Sequence, residues 1–60
     1  MKLKWEECEQ MALKILDGWR VKDPTLTRRV AELILKDQKV PNIRVFWNIK
    51  KDSLDFEVLK

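Results

Sequence analysis

Cys8 is the only thiol in this 60-residue chain and Ser53 its only serine, and histidine is absent. A Ser-His or Cys-His nucleophile pair therefore cannot be assembled, and the commonest general base is missing. Cys8 acting alone would need a depressed pKa and access to solvent. A place near a helix start helps, but Glu7 and Glu9 oppose thiolate formation, and a position within an apolar stripe makes Cys8 a small hydrophobe. Carboxylates occur in pairs, Glu6 with Glu9 and Asp55 with Glu57, and Glu6 also has the amide of Gln10 on its helix face. The second pair shares the outward face of a strand and could hold a cation weakly. Calcium takes roughly six to eight oxygen ligands, however, so a solvated strand face is expected there. Gly18 is the single glycine, which excludes a glycine-rich phosphate cradle, and one thiol without histidine excludes a structural zinc site. The chain is expected to be no enzyme, to use no cofactor and to have no small-molecule substrate.

Two other sets of side chains could do chemistry. Trp5, Trp19 and Trp47 could stack on bases or on a ligand, but all three fall on apolar stripes and are expected in the core. The basic residues Arg20, Lys22, Arg28 and Arg29 flank the connection between two helical segments, and Lys50 and Lys51 lie at a hairpin tip. A helix pair followed by a hairpin with a basic tip is loosely similar to a winged-helix DNA binder. In such modules a helix enters the major groove and the hairpin meets phosphates. Arg28 and Arg29 also lie in the first turn of their helix, against its dipole. Against this, a winged helix usually has three helices and this chain has room for two. Glu32 lies four residues from both Arg28 and Lys36, which is ordinary pairing along a helix face. Asp23, Asp37 and Asp52 interrupt the positive clusters, and a net charge of +3 is a weak electrostatic footprint. Nucleic-acid binding through these six residues is the alternative reading, with an affinity that would fall steeply with salt.

The elements that position these residues are legible from periodicity. Trp5, Cys8, Ala12, Ile15, Leu16 and Trp19 recur at spacings of three and four, which predicts a helix from about Lys4 to about Gly18. Glu6, Glu7 and Glu9 suit the positive end of its dipole. Gly18 is a plausible stop, although Trp19 still fits the stripe and would allow one more turn. Asp23-Pro24 starts a second helix, with Asp as N-cap and Pro at the first helical position. Its stripe is Leu26, Val30, Leu33 and Ile34, and it should fade between Lys36 and Lys39. Pro41 then pushes Val40 towards an extended conformation.

From Ile43 to the C-terminus the period changes to two. Ile43, Val45, Trp47 and Ile49 alternate with Arg44, Phe46, Asn48 and Lys50; Leu54, Phe56 and Val58 alternate with Asp55, Glu57 and Leu59. This is a β-hairpin with one buried face. A four-residue loop from Lys50 to Ser53 would pair Ile49 with Leu54, Trp47 with Phe56 and Val45 with Val58, all on that face. The whole reads as a single small domain over residues 1–60. It is α+β of order ααββ, with two antiparallel amphipathic helices packed on one face of a C-terminal antiparallel β-hairpin.

Sixty residues are near the lower limit for folding on a core alone, and a single cysteine forms no internal disulfide. Stability must come from packing or from association with another chain. Some apolar residues lie off the stripes: Phe46 and Leu59 on the outer hairpin face, as diagonal neighbours in that register, with Leu13 and Leu35 on the helices. A two-stranded sheet also has two open edges. The leading expectation is a structural or protein-interaction module, homodimeric or bound to another protein, that uses Phe46 and Leu59, with Leu13 and Leu35 as lesser contributors. The agreement between pattern, capping and charge is also what a designed miniprotein without biological activity would present. Cys8, Met11, Phe46-Trp47-Asn48 and the lack of glycine after the second helix speak for a natural origin. No apolar run is long enough to cross a bilayer, residues 1–10 lack a signal-peptide core, and a lone thiol suits a reducing cytoplasm.

Overall fold

A computed structural model describes residues 2–59. Helix α1 spans Trp5–Gly18, helix α2 Pro24–Asp37, strand β1 Ile43–Asn48 and strand β2 Ser53–Val58. The architecture is the expected ααββ arrangement, with α1 packed on α2 and β1 antiparallel to β2.

Each boundary has a local cause. The side chain of Glu7 accepts a hydrogen bond from the backbone N–H of Lys4 (3.3 Å), satisfying a donor at the start of α1. At its other end Trp19 caps the helix and Arg20 takes the left-handed conformation (φ 58°). Val21 N–H then donates to Leu16 C=O and Arg20 N–H to Asp17 C=O, both at 2.9 Å. This is a Schellman closure with arginine where glycine is usual. Gly18, expected as the stop, is the last helical residue instead. Asp23 caps α2 as expected: Oδ1 accepts from Thr25 N (3.0 Å) and Leu26 N (3.3 Å). Gln38, also left-handed (φ 57°), ends α2 and ties it to the chain start. Its Oε1 accepts from Leu3 N–H (2.6 Å), while Nε2 donates to the carbonyls of Leu35 (2.7 Å) and Leu3 (3.3 Å).

The core is centred between the helices. Cys8, Ala12 and Leu16 of α1 meet Leu26, Val30, Ala31 and Ile34 of α2, and Ile43 closes the cluster from β1. The small side chains of Cys8, Ala12 and Ala31 let the helix axes approach closely. Leu33 and Ile15, which also lie on the expected stripes, are half-buried. Trp5 and Trp19 are not core residues: they remain 36% and 46% exposed. Trp5 is the first residue of α1 and Trp19 has already left its helical path, so both overhang the ends of the helix–helix contact.

The hairpin register is Ile43↔Val58, Val45↔Phe56 and Trp47↔Leu54, closed by Asn48↔Ser53. The loop does have four residues, but they are Ile49–Asp52, so every pair is displaced by two positions from expectation while the faces are kept. Asn48 selects this loop. Its Oδ1 accepts from Lys50 N (3.1 Å) and Lys51 N (3.3 Å), an Asx turn, and Asp52 takes the left-handed conformation that Asp tolerates. Helix α2 meets the hairpin along β2. On the inner face Val45, Leu54 and Phe56 pack against the core beside Ile43, and the cover runs diagonally across the sheet. Along the inner face of β1 exposure rises from 5% at Ile43 to 56% at Trp47, and it reaches 85% at Ile49 in the turn. Trp47 is therefore a surface residue, because the helices do not reach the turn end of β1.

Candidate interaction surface

The outward face of the hairpin is ordered by charge. Arg44 Nε donates to Glu57 Oε1 across the strands (2.6 Å), and its guanidinium lies 5.3 Å from the centroid of the half-buried Phe46 ring. Asp55, opposite Phe46, is only 8% exposed, which corrects its expected place on a solvated face. Its Oδ1 accepts from Arg29 Nη1 and from Phe56 N–H, both at 2.8 Å, and its Oδ2 accepts from Asn48 Nδ2 (3.2 Å). Lys51 Nζ stands 3.8 Å from the same oxygen. The Phe56 N–H first, then the Arg29 guanidinium and Asn48, hold the Asp55 carboxyl at about 2. Arg29 reaches it from α2 by passing over the Phe56 ring, 5.1 Å from its centroid, around the β2 edge. The two carboxylates considered for a cation are thus already engaged, Asp55 by Arg29 and Glu57 by Arg44. Among the described residues no group of three His, Cys, Asp or Glu side chains is placed to hold a metal ion.

The four expected contact residues do not form one patch. Leu13, Leu35 and Leu59 are exposed and Phe46 half-buried. Phe46 and Leu59 are not diagonal neighbours in the observed register. Leu59 N–H bonds to Asn42 C=O (2.7 Å), and the Arg44–Glu57 pair lies between that end and Phe46. Leu13 belongs to a different feature, an open groove of about 900 Å³ along α1 and the start of α2. Trp5, Leu13 and Val21 supply its apolar lining, and charges of both signs, among them Asp17, Lys22 and Arg28, stand around it. Sequence reasoning missed Trp47, Ile49 and Val58, all of them exposed. Alternation put them on the inner face, and nothing local in the sequence marks where the cover on that face ends.

The six basic residues fall into different settings. Arg29 and Lys51 converge on Asp55, and Arg28 is within 3.7 Å of Glu32. Lys22 and Arg28 stand beside the acidic residues of the groove. Arg20 sits at the end of α1, and Lys50 in the hairpin turn. Cys8 is buried in the helix–helix contact. No helix is long and apolar enough to cross a membrane among the described residues. Comparison with protein-family models, curated proteins and solved structures finds no match to this chain.

Proposed function

We propose that this chain is a non-enzymatic protein-interaction module that associates with itself through its hairpin. The observation that supports this reading is the exposure of Trp47, Ile49 and Val58, the side chains that ought to complete the hairpin's buried face. A domain this small can ill forgo that much apolar burial, and a partner surface supplies it. Phe46 and Leu59 contribute from the opposite face, and Leu13 and Leu35 are peripheral. A designed miniprotein would carry the same surface and associate in the same way.

Solution mass by light scattering over a wide concentration range tests the reading. The parent chain should pass from monomer to dimer as concentration rises, and a monomer throughout would overturn self-association. The contact role of Phe46 calls for a substitution that spares the hairpin. Phe46→Asp would set a carboxylate opposite Asp55, and like charges directly across a strand pair destabilise it. Phe46→Lys avoids this and should shift the mass towards monomer at unchanged helix content by circular dichroism. If that variant associates like the parent, Phe46 lies outside the contact.

A further inference from the structure

We infer that the partner is a second copy of this chain, joined edge to edge along β1 in antiparallel fashion, so that two hairpins make one four-stranded sheet. This rests on the self-association proposed above and names its geometry.

The first ground is the edge. Strand β1 pairs only with β2 among the described residues, and α2 meets the hairpin along β2. The Leu59 N–H to Asn42 C=O bond fixes which residues exchange hydrogen bonds within the hairpin. In an antiparallel ladder such pairs alternate with pairs that do not. Counting along the register, Arg44, Phe46 and Asn48 turn their backbone groups towards β2. Ile43, Val45 and Trp47 turn theirs outward. The segment carries no proline, lysine or bulge of the kind that blunts natural edges, and its one charge, Arg44, is paired with Glu57 across the hairpin.

The second ground is cover. A two-fold axis through Val45 places Trp47 of each chain beside Ile43 of the other, and every outward N–H and C=O of Ile43, Val45 and Trp47 gains a partner. Such an axis is perpendicular to the sheet, so both helix pairs lie on the same side of it. The exposed turn end of each β1 then lies beside the covered end of the other, near the other chain's helices. The diagonal gap left by one copy is filled by the second.

The third ground is area. A compact monomer of 7.3 kDa should expose roughly 4,200 Å². This chain exposes 4977 Å². The chain is thus more open than a compact monomer of its mass, and Trp47 and Ile49, which remain exposed, are part of the apolar surface left to cover. The opposite edge, β2, is flanked by α2 and wrapped by Arg29, so addition stops at two copies and does not run on into a fibre.

Amide hydrogen exchange on the unmodified chain, followed by NMR across the concentrations used for light scattering, tests this directly. The amides of Ile43, Val45 and Trp47 should exchange freely in the monomer. They should slow about tenfold once about nine-tenths of the chains are paired. Arg44 and Phe46, bonded within the hairpin, serve as internal references. A dimer whose three outward amides remain unprotected would overturn the edge pairing while leaving self-association standing, and a chain monomeric at every concentration would overturn both. A synthetic full-length chain with N-methyl-Val45 keeps every side chain and removes one outward N–H; it should be monomeric with an intact hairpin, and a mass equal to the parent's would count against the edge.

Discussion

Asp55 draws its partners from three places in the fold: Arg29 from α2, Asn48 from β1 and the N–H of its own neighbour Phe56. These donors favour the charged form and lower the pKa from 3.8 to about 2. The carboxyl is therefore more acidic folded than unfolded. The stability it contributes is fully present above about pH 4 and is lost as pH falls through 2. In urea unfolding across this range, the parent should exceed Asp55→Asn by a constant margin above pH 4. That margin should narrow on acidification and close near pH 2. A margin that does not change with pH would mean that the network acts only through packing. The placement of Asp55 was not legible from the sequence. Alternation puts it on an outward face, and only the reach of Arg29 around the β2 edge, a tertiary event, makes that one position an interior one.

At the scale of elements, the ends of the helices carry correctable strain. Arg20 holds a left-handed backbone that costs a non-glycine residue on the order of 1 kcal/mol, while the chain's one glycine sits in the last turn of α1, where it weakens the helix. A Cβ added at Gly18 meets nothing within 4 Å. Exchanging the roles should help on both counts. Gly18→Ala and Arg20→Gly are each expected to stabilise by about 0.5–1 kcal/mol, read as a rise in urea midpoint at constant slope. If Gly18→Ala lowers the midpoint, the helix ends before Gly18. The helices themselves were readable because caps and stripes act locally: Asp23-Pro24 starts α2 wherever the rest of the chain lies. Gln38 was not readable as a clamp, since its partner Leu3 is 35 residues away and no periodicity records that contact. The hairpin was readable in kind but not in register. Period-two alternation fixes only which face a residue takes, and a shift of two preserves every face; the Asx turn at Asn48 made the choice. Trp47 was misplaced for a related reason. Alternation assigns a face but says nothing about how far along it the covering helices extend.

At the scale of the whole molecule, the chain is open for its size. Its radius of gyration is 11.2 Å, against roughly 10.4 Å for a compact domain of this length, and it measures 39 × 23 × 18 Å. The helix pair is the folded centre, and the hairpin stands partly away from it. Size alone suggests a stability of only about 3–9 kcal/mol, which leaves little margin for an incomplete core and makes association with a second copy consequential. Cys8, near the start of α1 and packed into the α1–α2 contact with no exposed surface, turns that margin into a clock. The chain's single thiol can meet a labelling reagent only when the two helices part. Its alkylation should run slower than that of a free thiol by between roughly a hundredfold and a few millionfold. The rate should climb with urea along the same slope as global unfolding, whereas a much shallower slope would show the helix around Cys8 opening on its own. Diluting the protein, and so separating the proposed pairs, should make the clock run faster, so that one thiol nature or design left in the core reports both folding and assembly without any added probe.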